Sequence, residues 1–100
     1  NLFAVVDDED HFLGMIILDD VRKDMFDREK YDVPISRYIF QPSAREKVSV
    51  DDSMETVMEK FKESGNYNLV VLNKGKYVGF VSRANVFNAY RQTLIDVSHE

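Results

Sequence analysis

The sequence predicts a mixed α+β fold made of two similar units, the first of which lacks its opening strand and helix. Two observations lead to this prediction. Residues 48–96 have the order strand, helix, strand, strand, helix, and residues 1–26 repeat the last three of these elements. The longest apolar runs, residues 14–18 and 68–72, are far too short to cross a bilayer.

Composition and charge narrow the class of protein. The chain of 100 residues is 44% hydrophobic and 31% charged, which is typical of a globular domain. A net charge of −5 without a basic stripe argues against nucleic acid as a partner, because the phosphates would be repelled. The lack of cysteine excludes disulfides and thiolate metal sites and suits a reducing cytoplasm. Nothing at the N-terminus resembles a signal peptide, because Asn1-Leu2-Phe3 starts in the middle of a strand-like run. We therefore expect the chain to be a piece of a longer protein.

The first copy, residues 1–26, is predicted to be a hairpin followed by a helix. Its expected elements are strands at residues 2–7 and 12–18 and a helix from residue 19. Asp19 would cap this helix, with Val21, Met25 and Phe26 facing inward. The acidic run at residues 7–10 favours a solvated hairpin turn, because it lacks the glycine and closing glutamate of a calcium-binding loop.

The segment at residues 27–47 is predicted to be a linker with a brief helical turn at residues 34–38, since proline suits the first turn of a helix. Several of its residues are too apolar for a free tether, and these are Ile35, Tyr38, Ile39 and Phe40. We therefore expect the linker to pack against one or both copies.

The second copy, residues 48–96, opens with a short strand and a helix. Asp52 is a candidate N-cap, and Glu55 lies three residues on, as in a capping box. Gly65 can end this helix in a left-handed conformation. Apolar residues at three- and four-residue spacing predict its inward face, namely Met54, Val57, Met58 and Phe61.

A hairpin and a second helix complete this copy. Strands at residues 68–72 and 77–82 are joined by the turn at residues 73–76. Ser82 is predicted to cap the helix that follows. The inward face of that helix is expected to carry Val86, Phe87, Tyr90 and Leu94.

The two copies can be aligned when one extra residue is allowed in the first turn. Residues 3–7 then lie over residues 69–73, and Gly14 falls on Gly79. Further along, Asp20 falls on Asn85 and Val21 on Val86. The order of apolar runs, turn, glycine and cap agrees, so we interpret the chain as an internal repeat.

This arrangement resembles a pair of cystathionine-β-synthase (CBS) domains. The resemblance is carried by Asn68 to Val71, Tyr77 to Ser82 and Asn85-Val86, and in the first copy by Phe3 to Asp7, Leu13 to Ile16 and Asp20-Val21. It implies tandem β-α-β-β-α repeats packed about a pseudo-twofold axis, with two clefts that bind adenine nucleotides (AMP, ADP or ATP) in many relatives. It also implies a homodimer of such pairs. No required cofactor is expected.

A narrower resemblance concerns the protein that carries the pair. The segments Leu18 to Arg22, Met25-Phe26, Asp52 to Met54, Val57-Met58, Gly79 to Ser82 and Tyr90-Arg91 are similar to the CBS pair of bacterial CLC-type chloride channels. This resemblance implies a regulatory domain at the cytoplasmic face of the cell membrane, with the membrane channel domain of the same chain as its partner.

The resemblance also implies candidate ligand-binding residues in each copy. In the first copy they are Ala4 and Val5, which would offer backbone groups at a strand edge, and Asp20, whose carboxylate would bind the ribose hydroxyls. Ile17 stands where a hydroxyl partner is expected. This cleft is therefore half equipped.

The second copy has the opposite deficiency. Val70 and Val71 are its candidate strand edge, and Ser82 supplies a hydroxyl at the start of a helix, where free amides and the helix dipole favour phosphate. Asn85 replaces the acid, but its side-chain carbonyl can still accept a hydrogen bond.

Structural interpretations account for the same residues. Ser82 and Asp19 suit helix caps, and Asp20 suits the first turn of a helix, whatever the function. No catalytic residue is predicted, because Ser82 has neither a histidine base nor a glycine-rich elbow. No metal site is predicted, because His11 and His99 have no further ligands at suitable spacing.

Three hypotheses follow. The chain is a nucleotide-sensing CBS pair of a channel, a ligand-free dimerisation or docking module, or a regulatory pair of another host such as a metabolic enzyme or another transporter. None of the three makes the chain itself an enzyme.

Overall fold

The structure is a computed structural model that describes residues 1–98, without the side chains of Tyr90 and residues 92–98. The chain divides into two compact units, Asn1–Pro42 and Ser43–Glu100. Both units combine strands with helices, so the predicted α+β class is confirmed.

The first unit contains a hairpin and a short helix. Its elements are β1 (Leu2–Val6), β2 (Phe12–Ile17), α1 (Leu18–Met25) and 3₁₀ helices at Arg28–Lys30 and Ile35–Tyr38. Strands β1 and β2 are antiparallel. The predicted helical turn after Pro34 is thus present as a 3₁₀ helix, in which Arg37 donates its backbone N–H to the Pro34 carbonyl.

The second unit contains the complete strand-helix-strand-strand-helix order. Its elements are a 3₁₀ helix at Ala44–Glu46, β3 (Lys47–Ser49), α2 (Met54–Ser64), β4 (Asn68–Asn73), β5 (Lys76–Ser82) and α3 (Arg83–Ser98). The sheet has the order β3-β4-β5, with β3 parallel and β5 antiparallel to β4.

The two hairpins share one register, which is the structural form of the predicted repeat. Val5 pairs with Gly14 in the first hairpin, and Val71 pairs with Gly79 in the second. In both hairpins the register then shifts, directly after Val5 and directly after Val71. An irregularity at the same place in two hairpins confirms the alignment made from the sequence.

The strand-to-helix junctions also correspond. Leu18 donates its backbone N–H to the Asn1 carbonyl at 3.0 Å, and Arg83 donates to the Tyr67 carbonyl at 2.8 Å. In the alignment Leu18 corresponds to Arg83 and Asn1 to Tyr67. Each helix therefore leaves its hairpin through the same hydrogen bond.

The cap of α2 differs from the prediction. Ser53, rather than Asp52, is the N-cap, since its hydroxyl accepts the Thr56 backbone N–H at 3.1 Å. The Asp52 carboxylate instead accepts the Ser49 backbone N–H at 2.9 Å. The expected capping box with Glu55 is therefore wrong. A capping box is present one element earlier, in the 3₁₀ helix at Ala44–Glu46.

The other end of α2 follows the prediction. Gly65 lies at φ 69° and donates its backbone N–H to the carbonyl of Phe61. This left-handed residue closes the helix as glycine does at many helix C-termini.

The start of α1 was also predicted incorrectly. Ile17 occupies the N-cap position and makes no side-chain capping bond. Asp19 lies in the first turn, where its carboxylate accepts a hydrogen bond from the Asn1 side chain at 2.9 Å and pairs with Arg22 at 3.5 Å. The positive end of the helix dipole still stabilises a carboxylate in the first turn.

The core of the second unit joins β3, the hairpin and both helices. Its buried members are Val48, Val57, Phe61, Leu69 and Val86. Met58, Val71 and Val81 pack against this cluster. The predicted inward faces are thus confirmed at Val57, Phe61 and Val86.

Four residues predicted to face inward are exposed. Their exposed fractions are 54% for Met25, 87% for Phe26, 40% for Met54 and 43% for Phe87. Phe26 follows the last residue of α1, so helical periodicity no longer sets its direction. The Tyr90 and Leu94 side chains lie outside those that the structure describes.

Candidate functional site

A cleft in the first unit contains a predicted ligand-binding residue. We call it the α1 cleft, and it has a volume of about 540 Å³. It is lined by Ile17, Asp20, Lys23, Asp24, Arg37, Tyr38, Ile39 and Phe40. Cavities of roughly 300–1,000 Å³ are typical of small-molecule sites.

One wall of the α1 cleft is held in place by β2. Phe40 and Met15 exchange two backbone hydrogen bonds, of 2.8 and 2.9 Å, so the linker joins the edge of the hairpin. The Gln41 side chain also donates to the Leu13 carbonyl. This close approach depends on Gly14, because a Cβ there would lie 2.5 Å from Ile39 Cγ2 and 2.8 Å from the Phe40 carbonyl oxygen.

Asp24 fastens the linker to α1. Its Oδ2 accepts a hydrogen bond from the Tyr38 hydroxyl at 2.6 Å, and its Oδ1 lies 3.0 Å from Lys30 Nζ. The Tyr38 hydrogen bond, followed by that from Lys30, holds the pKa of Asp24 below its usual value of 3.8. The carboxylate in turn raises the pKa of both Lys30 and Tyr38. Asp24 is therefore an ionised carboxylate that holds the linker against α1.

Asp20 lies one helical turn before Asp24 and is exposed. Among the described side chains, none forms a hydrogen bond or ion pair with the Asp20 carboxylate or with the Arg37 guanidinium. An acceptor and a planar cation without partners therefore both face the α1 cleft.

The remaining residues predicted for the first copy are placed differently. Ala4 and Val5 are half-buried in β1 and do not line the α1 cleft. Ile17 does line it, at the position that corresponds to Ser82 in the repeat. The cleft thus has an apolar side chain where the second unit has a hydroxyl.

In the second unit, the predicted strand-edge position of Val70 and Val71 is wrong. These residues lie in β4, the central strand, and Val70 is paired with Lys47 on one side and Phe80 on the other. A central strand uses its backbone groups within the sheet. The expectation failed because β3, only three residues long, covers the edge that the hairpin leaves open.

Ser82 acts as a cap, as predicted. Its hydroxyl oxygen accepts the Asn85 backbone N–H at 3.1 Å, which brings these two predicted site residues together at the start of α3. Ser82 is half-buried and Asn85 is exposed. The hydroxyl proton of Ser82 is still available for donation.

Sequence reasoning missed Lys23, Asp24 and Arg37 as cleft residues. Lys23 and Asp24 follow Asp20 by three and four positions, and this spacing on one helix face was a usable signal. Arg37 gave no comparable signal, since its place depends on where the linker lies.

A second cleft lies between α2 and α3. It has a volume of about 560 Å³ and is lined by Glu55, Met58, Glu59, Phe61, Lys62, Gly65, Arg83 and Phe87. The Arg83 guanidinium carbon lies 5.9 Å from the centroid of the Phe87 ring. None of the predicted ligand-binding residues lines this cleft.

The described residues contain neither a metal-binding cluster nor a membrane-spanning helix. No group of three or more His, Asp or Glu side chains there is arranged to hold a metal ion. No described helix is both long enough and apolar enough to span a bilayer.

Comparison with known proteins identifies the family. The family model for the CBS domain matches residues 32–92, and the chain therefore belongs to the CBS-domain family. CBS domains are regulatory modules rather than catalytic ones. No curated protein sequence matches the chain.

Solved structures support the same fold. CbpB in complex with c-di-AMP matches with a TM-score of 0.71 and 17% identity over 98% of this chain and 67% of the other. CBSX2 in complex with AMP matches with a TM-score of 0.65 and 20% identity over 92% and 72%. The CBS pair of the putative Mg²⁺ transporter SO5017 from Shewanella oneidensis MR-1 gives 0.70 and 19% over 94% and 52%. The chain therefore has the fold of a CBS pair, and the described residues of its first copy comprise the hairpin and the helix that follows it.

Proposed function

We propose that the chain is a regulatory module that binds an adenine nucleotide in the α1 cleft. The observation that carries this proposal is the position of Asp20. It was selected from the sequence as the ribose-binding acid, and it lines a cleft of about 540 Å³ together with the cation Arg37.

The chemistry of the cleft suits the three parts of a nucleotide. An ionised carboxylate such as Asp20 can accept hydrogen bonds from both ribose hydroxyls. Ile17, Ile39 and Phe40 form an apolar wall on which a base can pack. Arg37 supplies the donors for phosphate. Two proteins of the same fold were solved with c-di-AMP and with AMP.

Regulation would follow from differential binding. A ligand shifts the equilibrium between two arrangements of a module only by binding one arrangement more tightly. Because the cleft is built from α1 and the linker, a bound nucleotide would fix the linker against the first hairpin. We propose this as the means by which the nucleotide acts on the host.

For the second unit we keep a weaker proposal. Ser82 and Asn85 are the groups there that could meet a phosphate or ribose, while the backbone of Val70 and Val71 is committed to the sheet. We expect the Ser82 and Asn85 site to contribute less to nucleotide binding than the α1 cleft.

In the first unit, Ala4 and Val5 are proposed only as backbone partners at the outer edge of β1.

We propose a membrane transport protein as the host, with the module at the cytoplasmic face. The segments that resemble CLC-type chloride channels favour a channel of that type, and the structural match to a transporter's CBS pair is compatible with another transporter. A metabolic enzyme is the alternative. The upstream coding sequence would distinguish them, since several long apolar segments would indicate a membrane host.

Calorimetric titration tests the nucleotide proposal. We expect AMP, ADP or ATP to bind the chain and Asp20→Asn to weaken binding, because an amide cannot accept from both ribose hydroxyls as well as a carboxylate does. Asp19→Asn is the matched control, since Asp19 lies next to Asp20 on the same helix but outside the cleft. Absence of heat with all three nucleotides at millimolar concentration would refute the proposal.

A second candidate function is a ligand-free dimerisation module. It is favoured by the cleft between α2 and α3, whose lining includes the exposed apolar side chain of Phe87. The cleft also carries acidic Glu55 and Glu59 and basic Lys62 and Arg83, which a second copy can pair across a twofold axis.

Sedimentation tests this candidate. We expect a concentration-dependent dimer that Phe87→Glu weakens, whereas Phe3→Glu, also at an exposed phenylalanine, does not. A monomer at all concentrations would exclude a homodimeric function.

A further inference from the structure

The charges that line the α1 cleft indicate how much phosphate its ligand carries. The charged lining residues are Asp20, Lys23, Asp24 and Arg37. Asp24 is already compensated, because Lys30 Nζ lies 3.0 Å from one carboxylate oxygen and the Tyr38 hydroxyl lies 2.6 Å from the other. The charges left to meet a ligand are therefore one carboxylate and two cations.

These charges come from different elements. Asp20 and Lys23 lie one turn apart on α1, and Arg37 lies in the 3₁₀ helix at Ile35–Tyr38. The Asp24 contact with Tyr38, the residue after Arg37, keeps that 3₁₀ helix against α1. A ligand that contacts both Asp20 and Arg37 needs hydrogen-bond donors at one end and an anion at the other, as a nucleoside phosphate has in its ribose and phosphate groups.

We infer that the α1 cleft selects a nucleoside monophosphate over the diphosphate and triphosphate, and that Arg37 is the residue that binds the phosphate. This inference rests on the nucleotide-binding function proposed above. A phosphate monoester carries roughly 1.5 to 2 negative charges at pH 7, which the two cations can balance. Each additional phosphate adds charge for which the cleft lining holds no further cation, while the Asp20 carboxylate repels it.

Arg37 is assigned the leading role over Lys23 for two reasons. Its planar guanidinium can bind two phosphate oxygens at once, whereas an ammonium acts as a point charge. Lys23 is also attracted by the nearby Asp24 carboxylate, which contributes to the lowered pKa of Asp24. Arg37 has no competing side-chain partner among the described residues.

The test compares adenosine, AMP, ADP and ATP by calorimetry, with EDTA present so that magnesium does not mask phosphate charge. The proteins are the unmodified chain, Arg37→Gln, and the control Arg28→Gln. Arg28 is an exposed arginine of the 3₁₀ helix at Arg28–Lys30 and does not line the cleft.

For the unmodified chain we expect tighter binding of AMP than of ADP or ATP. Loss of a charge-assisted contact in Arg37→Gln should weaken AMP binding by about tenfold, with adenosine unaffected. Arg28→Gln should bind every ligand as the unmodified chain does.

Other results separate the two proposals. Binding of ADP or ATP as tightly as AMP would overturn the selectivity and leave the nucleotide site in place. Equal AMP affinity in Arg37→Gln and the unmodified chain would overturn the role of Arg37. If none of the four compounds bound, both proposals would fall.

Discussion

Single residues set the geometry of the α1 cleft, and Gly14 does so by having no side chain. It lies at φ 150°, and the linker passes so near that a Cβ would meet Ile39 and the Phe40 backbone. Its counterpart in the repeat, Gly79, has no atom within 4 Å of an added Cβ. The close approach of the linker thus requires glycine at residue 14, whereas no such contact requires it at the equivalent residue 79.

This difference gives the first prediction. Gly14→Ala should destabilise the fold by about 2 kcal/mol, because the Cβ must displace the Phe40 backbone or strain its own. Gly79→Ala is the matched control and should change stability by much less. Urea unfolding of both variants measures the effect, and equal midpoints would show that the linker does not lie against Gly14.

Asp24 gives a prediction about acid stability. Its pKa in the folded chain lies below 3.8, chiefly because Tyr38 and Lys30 donate hydrogen bonds to it. A carboxyl with a depressed folded pKa stabilises the fold above its unfolded pKa, and this stabilisation is lost as the pH falls through the folded pKa. The free energy of unfolding should therefore decrease below about pH 4, and less steeply in Asp24→Asn.

The control for this experiment is Asp51→Asn. The Asp51 carboxylate has no hydrogen-bond or ion-pair partner among the described residues. Its replacement should leave the acid limb of the stability curve unchanged. A curve for Asp24→Asn that coincides with that of the unmodified chain would contradict the role of Asp24 in holding the linker to α1.

At the scale of elements, the two hairpins show how a duplicated sequence retains its backbone while its side chains diverge. Their pairings, register shifts and junction hydrogen bonds correspond. Their environments differ, since Leu69 is 1% exposed and the equivalent Phe3 is 53% exposed. Backbone pairing depends on register and turn length, which tolerate substitutions, whereas burial depends on which element covers the hairpin.

The cap of α2 gives the prediction at this scale. Ser53→Ala should cost about 1 kcal/mol, because the Thr56 backbone N–H loses its acceptor at the N-cap. Glu55→Ala tests the rejected capping box and should have a smaller effect. Thermal unfolding of the two variants decides between them, and a larger loss for Glu55→Ala would show that the cap was assigned to the wrong residue.

At the scale of the whole molecule, the two units differ in how completely they enclose their strands. In the second unit β4 is paired on both sides and buries Leu69 and Val70. In the first unit β1 pairs only with β2 among the described strands. The second unit therefore carries a larger share of the buried core.

Native-state hydrogen exchange should show this difference. We expect the amides of Leu69 to Val71 to exchange more slowly than those of Phe3 to Val5, because opening β4 disrupts two ladders and a buried cluster. Rates are to be compared after correction for intrinsic exchange. Protection in β1 equal to that in β4 would contradict the assignment of a weaker first unit.

Much of the fold was contained in the sequence, because it depends on short-range patterns. Alternating apolar runs, turn residues and Gly65 predicted the hairpins and the end of α2, and the repeat alignment predicted their common register. Asp20 was selected because the CBS resemblance implies an acid at this place after the second strand of the hairpin. Caps were harder to predict, since Asp52 and Ser53 are equally suitable by type and only the path of the backbone selects between them.

The tertiary structure decided what the linker does. The linker brings Arg37, Tyr38 and Phe40 to the helix that carries Asp20 and Asp24. It is held there by the Phe40–Met15 backbone hydrogen bonds and the Tyr38–Asp24 hydrogen bond. The tertiary structure also places β3 beside β4, which removes the strand edge expected at Val70 and Val71. Local patterns report the conformation of a segment, but contacts across more than a dozen residues depend on how the whole chain closes. The acid of the proposed site could therefore be predicted from the sequence, and its cation could not.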